Sequence, residues 1–355
     1  MRVGILTSGG DCQALNATMR GLALTLYRNV KDAEIIGFID GYKGLMYEKY
    51  RKMKPKDFYD ILNVGGSFLG NSRCPFKRMR IIENGFDKVK AMKNTYKKLE
   101  LDCLVVLGGN GSIKSANMLS QEGLNVIALP KTIDNDAWGT DYTFGYSSAT
   151  AIATRYLDEI KTTAASHSRV FVIEVMGHKV GHICLSAGIA AGADVILLPE
   201  IPYDIKVVAK KVKETLKNEK NYAIIACAEG AISEADALMK RKDYKAKVLA
   251  RNGRSVAYEV ADELSQEIDA EIRVSCIGHA QRGGHPDSYD REISTRFGVE
   301  GARLIIKKHY GEYVVLQGNH VTHIPLEATA GKLKYVDTEG EIVQSAKLVG
   351  ISFGE

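Results

Sequence analysis

The sequence contains few of the residues that mark a secreted or fibrous protein. It has six cysteines, none of them in a CxxC pair, and seven prolines among 355 residues. Four of the cysteines lie within or beside apolar runs, so we expect buried free thiols in a reducing compartment. Charged residues make up 26% of the chain and are spread throughout it. This composition excludes a collagen-like or disordered chain.

Long apolar segments are also missing. No apolar stretch reaches about 18 residues, the length that a membrane-spanning helix requires. One basic residue precedes a short apolar run at the amino terminus, and that run is too short for the apolar region of a signal peptide. We therefore expect a cytoplasmic protein with no membrane partner.

Charge of one sign is not in large excess. The formal net charge is +5, and the lysines are dispersed in helical stretches such as residues 90–98. Such stretches are usually solvated helix faces, so we expect no nucleic-acid partner. A modest positive balance suits a protein that binds phosphorylated metabolites, but charge alone does not establish one.

What the sequence does contain is an alternation of two patterns. Helical periodicity, as in Leu15, Met19, Leu22 and Leu26, separates most of a series of short, β-branched apolar runs. The runs predict buried parallel strands, and the alternation predicts an α/β protein, which at this length divides into two domains. The predicted strands cover residues 3–6, 35–39, 103–107, 126–129, 170–175, 195–198, 223–227, 274–277 and 313–316.

Loops rich in Gly, Ser, Thr and Asp follow several predicted strands, at the strand ends where open α/β folds bind ligands. The first, residues 7–11, reads TSGGD and precedes a helix that starts near Leu15. Its glycines let backbone amides approach phosphate oxygens, although such a turn also serves as an ordinary tight connection. It is neither GxGxxG nor GxxxxGKS/T, which argues against a dinucleotide site and a Walker-type NTPase.

Two further loops carry candidate chemistry. Residues 108–112 read GGNGS, and two glycine-rich turns at two strand ends suggest one extended polyphosphate, with two unrelated turns as the alternative. Residues 131–136 read KTIDND and place two carboxylates two residues apart. One Asp can accept the proton of a hydroxyl nucleophile while the other orients Mg²⁺ through water. A capped turn with Asx bonds is the alternative.

Six motifs follow one another along the chain: LTSGGD with Asn16, GGNGS, PKTIDND, SHSR, IEVMGHKVG and GHAQRGG. In order and spacing they resemble the phosphofructokinase family over essentially the full chain. The resemblance implies two Rossmann-like domains with mainly parallel sheets, the phosphofructokinase fold. It implies a nucleotide-binding domain at 1–145 plus about 281–330, and a sugar-phosphate-binding domain at 146–280 plus the carboxy-terminal segment.

The resemblance also implies an activity. A member of this family in glycolysis would transfer the γ-phosphoryl of ATP to the 1-hydroxyl of fructose 6-phosphate, with Mg²⁺ as cofactor. Asp134 would be the base that takes the proton of the sugar hydroxyl, and Thr132 and Asp136 would line the same loop. The residues around the nucleotide phosphates would be Gly10, Arg73, Cys74, Gly108, Gly109, Asn110, Gly111 and Ser112.

The resemblance likewise implies a sugar-phosphate site and an oligomer. Arg169 and Arg273 match arginines that family members contribute from a neighbouring subunit, so we expect a homotetramer, with a dimer as the alternative. Within the sugar-phosphate site, His279 and Arg282 would bind the 6-phosphate and Glu229 a sugar hydroxyl. The other residues of that site would be Thr132, Ile133, Asp134, Met176, Gly177, His178, Ala280 and Gln281.

The residues that select the phosphoryl donor disagree in this sequence. Gly111 is the small residue of ATP users, whereas pyrophosphate users carry an Asp whose carboxylate would repel the α-phosphate. Lys131 is typical of pyrophosphate users, although it can accommodate either donor. Because the effect of Gly111 is steric, we predict ATP as donor and keep pyrophosphate as the alternative.

Three further departures lie at the nucleotide end of the site. Asn110 replaces an acidic residue associated with Mg²⁺, so the metal would be held through Asp136 by way of water, with Asn110 a weak ligand. His178 stands in place of an Arg, and Gln13-Ala14 in place of Pro-Gly. These changes leave open a catalytically impaired paralogue that binds sugar phosphate or nucleotide.

Overall fold

The computed structural model describes residues 1–218, 220–329 and 331–355. Glu219 and Ala330, which fall in the predicted second and first domains, lie outside the described residues. The chain forms two compact units: Met1–Ser148 with Arg282–Lys334, and Ala149–Gln281 with Tyr335–Glu355. The binding role predicted for each domain stays a prediction.

The strands are short and alternate with helices along the chain. In chain order they are β1 (Arg2–Ser8), β2 (Glu34–Phe38), β3 (Tyr50–Met53), β4 (Cys103–Gly108), β5 (Val126–Pro130), β6 (Val170–Val175), β7 (Val195–Leu197), β8 (Ala223–Ala228), β9 (Ile272–Cys276), β10 (Glu312–Gln317) and β11 (His320–Pro325).

The α-helices range from one turn to six. In chain order they are α1 (Leu15–Asn29), α2 (Tyr42–Met46), α3 (Lys88–Lys98), α4 (Asn110–Gln121), α5 (Tyr146–His167), α6 (His182–Ala190), α7 (Ile205–Asn218), α8 (Glu234–Ala237), α9 (Arg241–Ala250), α10 (Val256–Ser265), α11 (Ser288–Ile306), α12 (Leu326–Thr329) and α13 (Glu341–Leu348). Among the described residues, none of these helices has both the length and the apolar content needed to cross a membrane.

The first unit is built on a sheet whose order, over the described residues, is β11-β10-β5-β4-β1-β2-β3. The five inner strands pair in parallel, and β3 and β11 close the two edges as antiparallel strands. The inner strands were predicted because each contains a continuous apolar run that is buried. The edge strands were not predicted, because β3 is largely exposed and carries charged side chains, and β11 is only partly buried and carries two histidines.

The second unit contains a smaller sheet of order β7-β8-β6-β9, and all of its pairs are parallel. Its core includes Val172, Ile225 and Val260. The carboxy terminus returns to this sheet, since Ser352 pairs with Val195. The expectation of an α/β fold with mainly parallel sheets is therefore confirmed in both units.

The cysteines differ in part from their expected burial. Cys12, Cys103, Cys184 and Cys227 are buried free thiols, and burial raises the pKa of Cys12 to about 12, so it is protonated near neutral pH. Cys276 is exposed and Cys74 only partly buried. The expectation of buried thiols was wrong for Cys276, because its strand lies at the edge of the smaller sheet.

Two glycines allow α1 and α11 to pack closely in the first unit. A Cβ on Gly21 of α1 would lie 2.7 Å from the carbonyl oxygen of Thr295. A Cβ on Gly298 of α11 would clash with the carbonyl oxygen of Thr18 and would lie 2.6 Å from the amide of Leu22. Because these obstacles are backbone atoms, they cannot move by a rotamer change. This contact joins the helix after β1 to the helix before β10.

We expect Gly298→Ala to lower the free energy of unfolding by about 1–3 kcal/mol, because the added methyl group forces two helix backbones apart. Urea unfolding followed by circular dichroism measures this. Gly301→Ala is the matched control in the same helix, since its Cβ would lie 3.2 Å from the side-chain atom Leu22 Cδ1, which can adjust. Equal losses in the two variants would contradict the packing argument.

Candidate active site

Two cationic side chains close the loop between β1 and α1. Lys131 Nζ donates to the carbonyl oxygen of Gly10, and Arg282 Nη1 donates to that of Asp11 at 3.0 Å. A Cβ on residue 10 would lie 2.9 Å from Arg282 Nη1, so glycine is what lets the arginine lie against this turn. Burial lowers the pKa of Lys131, and Arg282 acts in the same direction. Two cationic groups at a glycine turn favour an anionic ligand.

The second glycine loop joins β4 to α4. The amides of Ser112 and Ile113 donate to the carbonyl oxygen of Gly109 at 2.9 and 3.0 Å, so the helix begins directly after the strand. A Cβ on Gly111 would have no described atom within 4 Å. The first turn of α4 is therefore open at Gly111. The amino-terminal amides of a helix have no partner within that helix and attract phosphate.

The acidic loop follows β5 and is tied to the second glycine loop, because the amide of Lys131 donates to the carbonyl oxygen of Gly108 at 3.1 Å. Thr132 Oγ1 accepts from the amide of Asp134 at 3.1 Å, and Thr143 Oγ1 donates to the carbonyl oxygen of Thr132 at 2.7 Å. Of residues 131–137, only Asp134 is more than 9% exposed. Asp134 is thus the one partly exposed residue of this loop, whereas Asp136 is buried.

The residues proposed to hold a metal supply few ligands. Asn110 Nδ2 donates to the carbonyl oxygen of Lys332 at 2.6 Å, and Asn110 Oδ1 is buried with no hydrogen-bond partner among the described residues. Those residues contain no group of three or more His, Cys, Asp or Glu side chains that could hold a metal ion. Asn110 Oδ1 and the Asp136 carboxylate fit a Mg²⁺ that takes most of its ligands from phosphates and water.

Arg73 and Cys74 line a cavity of about 230 Å³ in the first unit. The segment before them is fixed by Ser72, whose Oγ donates to the carbonyl oxygen of Asp40 at 2.5 Å and whose carbonyl oxygen accepts from the amide of Gly9 at 3.2 Å. The hydrogen bond from Gly9 to Ser72 therefore connects the segment that lines the cavity to the first glycine loop. Its wall contains apolar side chains such as Met46, Tyr47 and Met79 and several cationic ones, of which Arg78 and Lys88 are paired with the carboxylate of Glu83. Such a wall suits a planar ring that carries anionic groups.

In the second unit, the predicted sugar-phosphate residues follow the carboxyl ends of three neighbouring strands. Residues 176–178 follow β6, Glu229 follows β8, and residues 279–281 lie in a 3₁₀ turn after β9. The amide of His178 donates to Glu229 Oε1, so the loops after β6 and β8 are in contact. Met176 and Glu229 are partly buried, Gln281 is fully buried, and His178 and His279 are exposed. The other residues of this predicted set, Thr132, Ile133, Asp134 and Arg282, belong to the first unit.

The two arginines expected to reach a neighbouring subunit share one carboxylate. Arg169 Nη2 lies 2.9 Å from Glu271 Oε1, and Arg273 pairs with the same oxygen. Hydrogen bonding from Arg169 holds the pKa of Glu271 below its ordinary value. Glu271 and Arg273 are two residues apart in and beside β9, so their side chains share a face of the sheet. The sequence analysis missed Glu271, although this spacing would have found it.

The chain is similar to known proteins over most of its length. The family model described as Phosphofructokinase matches residues 2–305. An ATP-dependent 6-phosphofructokinase of Spirochaeta thermophila is 46% identical over 99% of this chain and 97% of its own length. A protein of Bacteroides thetaiotaomicron named ATP-dependent 6-phosphofructokinase 3 is 42% identical over the full length of both chains.

A solved structure gives the same family. Phosphofructokinase from Saccharomyces cerevisiae superposes with a TM-score of 0.80 at 28% identity, over 92% of this chain and 45% of the yeast chain. The family model spans most of the chain, and the two bacterial relatives align with it nearly end to end. The chain therefore belongs to the phosphofructokinase family.

Proposed function

We propose that this chain is an ATP-dependent 6-phosphofructokinase, which transfers the γ-phosphoryl of ATP to the 1-hydroxyl of fructose 6-phosphate in glycolysis. The observation that carries this proposal is the end-to-end similarity to bacterial relatives that bear this name, at 46% and 42% identity. The arrangement of the glycine loops and the acidic loop in the first unit is consistent with it. The enzyme works in the cytoplasm.

In this proposal Asp134 is the general base. It accepts the proton of the sugar 1-hydroxyl as that oxygen attacks the γ-phosphorus, and ADP leaves. Its amide is bonded to Thr132 Oγ1, which fixes the backbone from which the carboxylate projects. A base must be held within hydrogen-bond distance of its proton to act in the transition state. Thr132 is thus a positioning residue for Asp134.

The donor phosphates bind to the two glycine loops. Gly10, residues 108–112 and the first turn of α4 supply backbone amides, while Arg73 and Cys74 bind the nucleotide at the cavity that they line. Bound Mg²⁺ neutralises phosphate charge; Asn110 and Asp136 would hold it, in part through water. Open space at Gly111 favours ATP over pyrophosphate. No atom of the described chain fills the place that a larger side chain would take, so this space is left for the α-phosphate of ATP.

The sugar phosphate binds to the set of residues that the phosphofructokinase family implies. Glu229 binds a sugar hydroxyl, and His279 and Arg282 bind the 6-phosphate, with the other members of this set being Thr132, Ile133, Asp134, Met176, Gly177, His178, Ala280 and Gln281. Arg169 and Arg273 belong to the site of a neighbouring subunit, so the active enzyme is a homotetramer or a dimer. Glu271 keeps both arginines paired until the sugar phosphate in the neighbouring subunit's site binds.

Steady-state kinetics with fructose 6-phosphate and Mg²⁺ test the proposal, with ATP and pyrophosphate compared as donors. We expect turnover with ATP and little with pyrophosphate. Equal or faster turnover with pyrophosphate would identify the alternative donor, which Lys131 favours. Binding of MgATP without turnover at any divalent cation would identify an impaired paralogue. Light scattering during size-exclusion chromatography distinguishes a dimer from a tetramer.

A further inference from the structure

A short segment near the carboxy end of the first unit, residues 331–334, lies against two loops of the candidate active site; we call it the strap. At its start, the carbonyl oxygen of Lys332 accepts from Asn110 Nδ2 at 2.6 Å. Asn110 is the first residue of α4, in the loop that is proposed to bind donor phosphates. One end of the strap is therefore attached to the second glycine loop, residues 108–112, by a side chain of that loop. We call this loop the nucleotide loop.

The other end of the strap is attached to the acidic loop. Leu333 forms a β-bridge with Ala137, and the amide of Lys334 donates to the carbonyl oxygen of Asp136 at 2.9 Å. Lys334 Nζ donates to the carbonyl oxygens of Thr140 and Asp141, each at 2.9 Å. These bonds fix the backbone from Asp136 to Asp141.

The strap is held by charge and by an aromatic contact as well. Lys332 Nζ lies 5.7 Å from the centre of the Trp138 ring, within the range of a cation–π interaction. Lys334 is partly buried, and its amine is held by its two bonds to the carbonyl oxygens of Thr140 and Asp141.

The chemistry of these contacts explains why residue 110 is an amide here. A carboxylate has no N–H and cannot donate to the carbonyl oxygen of Lys332, whereas the Asn110 side chain donates with its nitrogen. That bond also fixes which way the Asn110 oxygen points, and this oxygen is buried with no partner among the described residues. The side-chain amide of Asn110 thus has two effects: its nitrogen holds the strap, and its oxygen is fixed in one orientation.

We propose that the strap is a positioning element of the phosphoryl-donor site, in which Asn110 and Lys334 hold the nucleotide loop and the acidic loop in fixed register. The effect of the strap on catalysis rests on the proposed function. The fixed arrangement of the two loops does not. Lys334 acts here through other residues and is a positioning residue, and Asn110 has this positioning role in addition to its proposed contact with Mg²⁺.

Hydrogen–deuterium exchange of the ligand-free protein tests the register without any activity. Lys334→Met removes the amine and keeps the apolar stem, and we expect peptides from residues 132–141 to exchange at least ~10-fold faster. Asn110→Asp should speed exchange in the same peptides, because it releases the strap at Lys332. The double variant should exchange no faster than Lys334→Met alone, since both changes release one element.

Two further variants complete the experiment. Lys334→Arg retains a cationic donor and should restore most of the protection, while Lys307→Met, an exposed lysine of the same unit, should leave exchange at wild-type rates. Unchanged exchange in Lys334→Met, or additive effects in the double variant, would overturn the proposal. A wild-type protein with no kinase activity would instead contradict the proposed function and leave the exchange result interpretable.

The catalytic consequence has its own measurement. If the strap sets the register, Lys334→Met should raise the KM for MgATP and lower kcat by ~10-fold or more, the usual size of an effect on groups that orient active-site ligands. Lys334→Arg should recover most of this loss. A general loss of stability would instead reduce active enzyme and kcat with no change in KM, and that pattern would contradict the positioning role.

Discussion

Replacing Asp134 with Asn is expected to lower kcat by about 10³-fold, or about 4 kcal/mol of transition-state stabilisation, because the amide cannot accept the proton of the sugar hydroxyl. Asn has the same shape as Asp, so the bond from the residue 134 amide to Thr132 Oγ1 is retained. The KM for either substrate should change little. Steady-state kinetics with ATP and fructose 6-phosphate measure both parameters.

A matched control separates loss of the base from loss of a negative charge. Asp60→Asn removes an exposed carboxylate from the same unit and should retain full activity. The thermal midpoint of Asp134→Asn should stay close to that of the wild type, since residue 134 is the partly exposed member of its loop. A loss of kcat smaller than ~10-fold would remove Asp134 as the general base.

The second large effect is expected at Gly111. Gly111→Asp should raise the KM for ATP by ~100-fold, because its carboxylate would occupy the open first turn of α4 and repel the donor's phosphates. The fold should tolerate the change, since no described atom lies within 4 Å of the added Cβ. A negative charge in the first turn of a helix is moreover stabilising. The loss should therefore appear in kinetics and not in thermal stability.

Gly111→Ala is the control for backbone effects, because it adds the Cβ without the charge and should keep most of the affinity for ATP. Pyrophosphate should be assayed in parallel with both variants. It lacks an α-phosphate and an adenosine, so we expect the added carboxylate to impair its use less than the use of ATP. A Gly111→Asp variant with an unchanged KM for ATP would show that the donor does not bind at this turn.

The sequence predicted the fold well where burial determines the pattern. The runs that became β1, β4, β5 and β8 are apolar throughout, and that of β6 is apolar except for Glu174, because helices cover both faces of an inner parallel strand. At the edges the pattern weakens. β3 reads YRKM, and its first three residues are exposed. Because it pairs with β2 alone and carries charged side chains, it lacks the apolar run from which a strand is predicted.

The candidate site was predictable to the extent that it lies in loops directly after strands. The glycine loops and the acidic loop were found because their residues are consecutive. Contacts between distant residues were not found: 222 positions separate Asn110 from Lys332, whose carbonyl oxygen it bonds. The periodicity of apolar residues predicts which residues are buried, but it does not predict which side chain bonds to a given backbone carbonyl. The strap could therefore be identified only from the three-dimensional structure.

The division of each unit into two stretches of chain has a consequence for the order of events during synthesis. The stretch that ends at Ser148 contains β5 and α1, whereas their partners β10 and α11 come after Arg282. While the intervening residues are translated, β5 remains a sheet edge and the glycine surface of α1 lacks its helix. The nascent first unit therefore exposes pairing groups and apolar area until α11 and β10 have been translated, and this interval carries a risk of aggregation.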